Sequence, residues 1–546
     1  MSSPRTITAH PRSSKAVFMD STKAITPPAV VRLAVLALAS VAALTSCSSP
    51  NGSSATFDRT NTHALFREGY QQISHYYIEP TDAAQLAQAG LAKLSTLDPT
   101  ISVQRQGGEV VLLQNDVVVD RFAAPAPLDN DGWGELTAST LERVRKTSPK
   151  IGADNEDDVE KVVFEGAVGT LDRFSHYASP EAARELRAER SGFGGIGVTL
   201  DSSDDDQVRI LSVIPDSPAG HAGLKPDDRI LTVDGAQASA LTREQVVARL
   251  RGEPGTPVVL GIERKGATGM LSFSIARAHI VLPTVEMRRD GRIVTLRISS
   301  FNEETSERLV DAIKKARHEI GGQPVGIILD LRDNPGGLLD QSVDVLDAFL
   351  DSGVATSTLG RLPESRKSYE VDPMHLSDGT PMVVLINGGS ASASEIVAST
   401  LQDSGRAVVI GTSSYGKGTV QTVLDLMNEG ELTVTWAKLI TPEGYMLHEH
   451  GVVPTVCTSG ISGDSVSMHE ALVRGTMAGS GPAARPRAAL DEQGWKQLRD
   501  GCPAERIDRD ADIKIAEELL RDPALYGRAL GALPTLLAHN STASER

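Results

Sequence analysis

NGGSASASEIVASTLQDSGRAVVIGTSSYGKGTVQ, residues 387–421, decides how this chain is read. The apolar run 382–386 predicts a short strand, which ends in Gly388-Gly389 and a cluster of small residues. Ile396, Val397, Thr400 and Leu401 then fall on one face at helical spacing. Ser392 and Glu395 have the S-x-x-E spacing of a capping box. A serine at such a strand-to-helix turn meets free backbone N–H groups and the positive end of the helix dipole, and both favour a developing oxyanion. A second strand, 407–411, leads into Tyr415-Gly416-Lys417-Gly418, where flanking glycines let a tight loop aim the lysine inward. A serine hydroxyl needs a base, and lysine serves when burial lowers its pKa. Gln421, four residues on, offers an amide oxygen to hold the amine in line. Taken singly, Ser390, Ser392 and Ser394 read as caps and Lys417 as a solvated surface charge.

A phosphate loop is the competing chemistry, because 411–417 fits G-x-x-x-x-G-K. Gly418, however, stands where the Mg²⁺-binding Ser or Thr belongs. The run 419–424 also reads as a strand where a phosphate loop needs a helix. Nucleotide binding is rejected.

SASASE followed by GKGTVQ at this spacing resembles the carboxy-terminal processing peptidases, the tail-specific Ser–Lys serine proteases of family S41. The resemblance implies Ser392 as nucleophile, Lys417 as its base and Gln421 as the residue that positions the base. Asp330-Leu331-Arg332-Asp333-Asn334-Pro335-Gly336-Gly337 is similar to the family's DLRxNPGG run. That likeness implies an oxyanion hole from the N–H groups of Gly337 and Ala393, with Asp330 and Arg332 bracing the turn. On spacing alone the same run reads as an ordinary strand-to-helix turn. TPEGYMLHEHGVVPT (441–455) is similar to the family's closing strand segment.

Upstream, residues 191–283 read as a small β-rich module. FGGIGV (193–198) puts glycines where backbone N–H groups can converge on a carboxylate. With SPAGHAGLKPDDRILTVDG (217–235) and a helix over 242–250, the segment resembles a bacterial PDZ domain, which adds an extended C-terminal peptide to a sheet edge. Gly194, Gly195, Ile196, Gly197, Val198, Val246 and Leu250 are the candidate peptide-binding residues.

The rest of the chain fits around these two units. Its 546 residues correspond to about three or four domains. A net charge of −17 argues against nucleic acid as a partner. Residues 1–46 combine a basic stretch with an apolar run, 33–44, too short to span a membrane, as in a signal peptide. Leu44-Thr45-Ser46-Cys47 resembles a lipobox, which implies lipidation of Cys47 and a polar tether over 47–59; an ordinary signal peptide with an incidental cysteine is the alternative, and Met19 is an alternative start. With Ser48 next and no Asp, the resemblance implies a periplasm-facing lipoprotein, at the outer rather than the inner membrane if the cell is Gram-negative. Residues 60–190 read as an N-terminal helical region with an insertion over 97–157 and a hairpin at 108–122. From 284 to 457 the pattern is α/β, with strands at 293–298, 325–331, 382–386, 407–410 and 432–439 and helices at 303–319 and 338–350. Residues 458–546 hold a Gly/Ala/Pro-rich linker and a helical tail that docks on the core, dimerises or recruits an adaptor. Cys457 and Cys502 either form a disulfide or stand unpaired.

The expected fold is therefore multidomain α+β: a helical region, a PDZ domain, an α/β (crotonase-like) protease core and a helical tail. The expected function is serine endopeptidase action on exported proteins near their captured C-termini, at a lipid-anchored enzyme with an adaptor or a second copy as further partners. No cofactor or metal is implied, since His448 and His450 have the wrong spacing for a helical zinc pair. The competing class is a non-catalytic PDZ scaffold on a protease-like core.

Overall fold

The computed structural model describes residues 57–201, 208–374, 376, 379–462, 464–477, 487–505, 508 and 510–531. The expected signal segment 1–46, Cys47, most of the expected tether and the linker residues 478–486 lie outside the described residues.

A six-stranded sheet carries the α/β half. Its order is Val285–Asp290, Ile293–Ile298, Gly326–Asp330, Met382–Ile386, Val408–Gly411 and Val456–Cys457, with the first pair antiparallel and the others parallel. Gly326–Asp330, Met382–Ile386 and Val408–Gly411 are buried along their whole length. That is why they read as unbroken apolar runs rather than alternating ones. Leu329, Val384, Ile386 and Val409 face helices Thr305–Ile320, Leu339–Asp347 and Ala393–Asp403. Ile328, Val383, Leu385, Val408 and Ile410 face the other way, onto Leu472, Ile515, Leu519 and Tyr526 of the C-terminal helices. The tail thus docks, for a simple reason: without it, half of each buried strand would be in water.

A second sheet crosses the site. Its order is Lys367–Glu370, Val354–Gly360, Glu431–Ile440 and Thr419–Asp425, and His176–Ala178 pairs onto Glu431–Ile440. The strands 354–360 and 367–370 are absent from the sequence expectation. VATSTLG and KSYE carry too little apolar character to mark them.

In the N-terminal region, helices Arg59–Tyr76, Ala83–Ala92, Asn130–Thr147 and Glu156–Val168 enclose Phe66, Tyr70, Trp133 and Phe164. The insertion supplies a three-stranded antiparallel sheet, Ile101–Gln106, Glu109–Gln114 and Val117–Ala123, so the expected hairpin gains a third strand. It also supplies helix Asn130–Thr147, whose Gly134 lies flush on the Arg67 backbone, and it shares the region's core.

The β-rich module has a four-stranded sheet, Leu271–Ala276, Pro257–Glu263, Arg229–Val233 and Ala236–Gln237, and a separate pair, Val198–Leu200 with Ile210–Val213. Helix Arg243–Leu250 is closed by a reciprocal capping box between Thr242 and Gln245.

Candidate active site

Three short turns meet at the C-terminal edge of the parallel sheet. The first follows Met382–Ile386 and enters helix Ala393–Asp403 at Ser392, whose backbone is held at φ 56°. Such a conformation costs a β-carbon-bearing residue about 1–3 kcal/mol and persists only where the surroundings impose it. Those surroundings are visible. Ser390 Oγ donates to the Leu331 carbonyl (2.8 Å) and accepts from Asn387 N–H (3.0 Å). Ser394 Oγ donates to the Asn334 carbonyl (2.6 Å), which also accepts Ala391 N–H (2.9 Å). Both hydroxyls are fully buried and spent on the backbone. Ser392 and Glu395 share the capping-box arrangement, the Ser392 hydroxyl donates to no carbonyl among the described residues, and the residue is partly exposed.

The second turn is 330–337. Asn334 donates to the Ile298 carbonyl and accepts Gly336 N–H (2.8 Å), which rolls the chain toward Ser392. Gly336, at φ 103°, lies so close that a β-carbon there would sit 2.7 Å from Ala391 O and 2.8 Å from Ser392 Cβ. Gly337, at φ 144°, would meet Phe301 O at 2.1 Å. Its neighbours Gly336 O and Leu338 N bond to Phe301. The N–H groups of Gly337 and Ala393 have no such partner among the described residues. Arg332 forks onto both oxygens of Asp330 (2.8 and 2.7 Å) and reaches Asp512 of the tail (3.1 Å). Asp512 also accepts from Thr458 Oγ1 (2.7 Å). These buried charges raise the Arg332 pKa against the effect of burial, and they brace the turn.

The third turn, 413–418, carries Lys417 and is tied to the first by a single carboxylate. Glu395 is 0 % exposed. It accepts Ser392 N–H (2.8 Å) and Lys417 N–H (2.9 Å) on one oxygen, and Gly416 N–H (2.6 Å) and Ser414 O–H on the other. The S-x-x-E spacing predicts the first of these contacts. The other three cross 19 to 22 residues of sequence, and no local signal marks them. Burial pushes the Glu395 carboxyl up, against the four hydrogen bonds that favour its ionised form.

Burial lowers the Lys417 pKa below its ordinary 10.5, while the carboxylates of Glu395 and Asp172 oppose the shift. Its Nζ lies 5.4 Å from the centroid of the Phe174 ring and makes no hydrogen bond among the described residues. Gln421 Nε2 donates to Thr419 Oγ1 (2.9 Å) and Thr435 Oγ1 (3.1 Å), which commits the nitrogen end of the amide.

The β-rich module carries its own groove, a cavity of about 690 Å³ lined by Gly195, Ile196, Gly197, Val198 and Leu250 among others. Two of the expected residues fall outside its lining. Val246 points into the module's core at 0 % exposure, and Gly194 is pressed against the Gly252 carbonyl, where a β-carbon would stand 2.0 Å away. The opposite wall comes from helix Pro180–Ser191, through Glu181, Arg184 and Glu185, which the sequence assigns to the preceding region. Arg251 lies over the Phe193 ring (4.5 Å) and pairs with Glu185. Cys457 and Cys502 are disulfide-bonded.

Comparison with known proteins agrees with this architecture. The sequence model of peptidase family S41 matches residues 292–458, and that of the PDZ domain matches 185–263. The carboxy-terminal-processing protease of Bartonella bacilliformis is 39% identical over 378 residues, covering 66% of this chain and 86% of that protein. The carboxy-terminal processing protease CtpA of Bacillus subtilis is 34% identical over 336 residues, covering 59% and 71%. Among solved structures, the photosystem II D1 C-terminal processing protease matches 72% of this chain and 92% of its own, at 23% identity and a TM-score of 0.36. With its PDZ module and S41 core, and with such identity across most of the Bartonella protein, the chain belongs to the carboxy-terminal processing proteases, serine-type peptidases of family S41.

Proposed function

We propose that this protease cuts exported proteins near their C-termini by a Ser–Lys dyad, after its PDZ groove has taken hold of the substrate's tail. One observation carries the reading. Of the three clustered serines only Ser392 donates its hydroxyl to no carbonyl among the described residues, and its turn shares one carboxylate with the lysine loop. Ser392 Oγ attacks the scissile carbonyl, and neutral Lys417 takes the hydroxyl proton and returns it to the leaving amine. Gln421 Oε1 steadies the amine once the lysine leaves the Phe174 ring and turns toward Ser392. The N–H groups of Gly337 and Ala393 receive the oxyanion, at about 3 kcal/mol for each donor.

In the groove, backbone N–H groups of 195–197 take the terminal carboxylate, and Val198 and Leu250 meet apolar side chains of the tail. Diacylation of Cys47 would hold the enzyme at the periplasmic face of the outer membrane, with an adaptor or a second copy as further partners; lipid labelling of wild type but not of Cys47→Ala tests the anchor. The groove is tested with a loosely folded protein ending in an apolar tail, its terminal carboxylate free or amidated. Amidation is expected to raise KM about tenfold or more, because the glycine turn then loses its anion. Equal KM for the two substrates would remove tail capture from the mechanism. A non-catalytic scaffold would instead bind the free tail and cut neither substrate.

A further inference from the structure

The part of the chain beyond the family match reaches the active site itself. Helix Glu492–Asp500 begins on the Asp491 cap and buries Trp495, whose ring stacks on His450 at 4.5 Å and leans on Tyr445 at 4.8 Å. One turn later, Arg499 donates from Nη2 to the Ser414 carbonyl (3.0 Å) and from Nη1 to the His450 carbonyl. The Cys502 carbonyl accepts Ser413 N–H at 3.3 Å. On the nucleophile side, Ala504 lies against Gly388, where a β-carbon would come within 2.9 Å. The segment therefore touches both loops that approach Ser392 and Lys417.

Gly451 shows how tightly the charges converge. A β-carbon at this position, φ 63°, would stand 2.7 Å from Arg499 Nη1, 2.7 Å from Ser414 Oγ and 3.1 Å from Glu395 Oε1. The guanidinium thus faces the buried carboxylate across Ser414, whose hydroxyl donates to Glu395 and accepts Val452 N–H (2.7 Å). Glu395 in turn holds Gly416 and Lys417 by their N–H groups. A buried anion with four donors still gains from a nearby fixed cation, and here it is supplied from outside the catalytic domain. The helix has little apolar surface to hold it: Trp495 is its one buried residue, in a cluster with Tyr445, Val453 and Cys502. The Cys457–Cys502 disulfide supplies the missing hold, fastening the end of this helix to the edge strand of the sheet.

We propose that Arg499 is a positioning residue for the lysine loop, kept in place by the Cys457–Cys502 disulfide. It fixes the Ser414 carbonyl and faces Glu395, so the backbone around Lys417 is held in register with Ser392. The inference rests on the Ser–Lys reading for its effect on rate, but its effect on the loop is independent of that reading.

The test uses the full chain in detergent, as wild type, Arg499→Ala, Arg499→Lys and the double variant Cys457→Ala/Cys502→Ala. Backbone hydrogen exchange of residues 413–418 is read beside kcat, KM and tail-peptide affinity. Arg499→Ala is expected to speed exchange in the loop at least tenfold, lower kcat about 10- to 100-fold and leave KM and tail affinity within twofold. Arg499→Lys should recover part of both effects, since an ammonium can reach one of the two carbonyls. The double variant should move exchange and kcat in the direction of Arg499→Ala. Unchanged exchange at 413–418 in folded Arg499→Ala would overturn the proposal, whatever the activity. Faster exchange with unchanged kcat would overturn it too, as loop order would then not matter to the reaction. If wild type fails to cut, or Ser392→Ala cuts equally well, the Ser–Lys reading fails, and the exchange measurement still decides whether Arg499 orders the loop.

Discussion

Ser392→Ala is expected to lower cleavage of a tail-bearing, loosely folded substrate by about 10⁴-fold or more while leaving tail binding intact, and Lys417→Ala to do nearly the same. The two losses should not add, because a nucleophile without its base and a base without its nucleophile fail at the same step. Folding should survive both changes. The Ser392 hydroxyl donates to no carbonyl and the capping contact of Glu395 to the Ser392 N–H is kept in the alanine variant, while Lys417 makes no side-chain hydrogen bond among the described residues. Ser390→Ala and Ser394→Ala make the contrast, since each removes a buried hydroxyl committed to a carbonyl and should act through stability rather than kcat. If cleavage survives Ser392→Ala, the nucleophile lies elsewhere. The base also predicts a pH profile. In the proposed dyad Lys417 must be neutral to accept the proton, and burial lowers its pKa below 10.5. The kcat/KM of wild type should therefore rise with pH along a limb whose midpoint lies below that value. Between the native and unfolded lysine pKa values the unfolded chain binds more protons, so this residue's effect on stability also becomes more favourable as pH rises through that window.

Glu395→Ala is the second large effect, and it should appear first as lost stability. The change removes the acceptor of four donors: Ser392 N–H, Ser414 O–H, Gly416 N–H and Lys417 N–H. It also leaves Arg499 facing no anion. Each orphaned buried donor costs about 1–3 kcal/mol, and water entering the vacated space recovers part of that. A net loss of at least about 3 kcal/mol in denaturant unfolding is expected. Glu395→Gln keeps the volume and one acceptor oxygen, so it should lose less stability, yet its amide nitrogen turns toward at least one N–H donor. For the glutamine variant we expect a well-folded protein with kcat reduced about tenfold or more. An alanine variant as stable and active as wild type would mean that the two loops are held by something other than this carboxylate.

Much of this could be read without coordinates, because the chemistry is written in short runs. SASASE, DLRDNPGG and GKGTVQ are short local runs, and their glycines and serines mark turns and hydroxyls whatever they later meet. The parallel strands were legible as well, since burial on both faces leaves uninterrupted apolar stretches such as MVVLI. Polar strands were not. VATSTLG and KSYE become strands because Glu431–Ile440 offers Val354–Gly360 an edge, and the second pairs in turn with the first.

Tertiary structure alone decided three further things. It separated Ser392 from Ser390 and Ser394, identical in composition and spacing, because only the approach of Leu331 and Asn334 consumes the other two hydroxyls. It removed Val246 from the groove and gave the groove a wall from helix Pro180–Ser191, since amphipathic spacing marks an apolar face without saying what that face meets. Finally, it turned a tail of open role into part of the catalytic half. Asp512 reaches Arg332 across 180 residues and Arg499 reaches Ser414 across 85, separations at which sequence carries no periodic signal. Local sequence determines which turns and hydroxyls the chain can offer. Which of them meet is set by the burial of the sheet's second face, a property of the assembled fold.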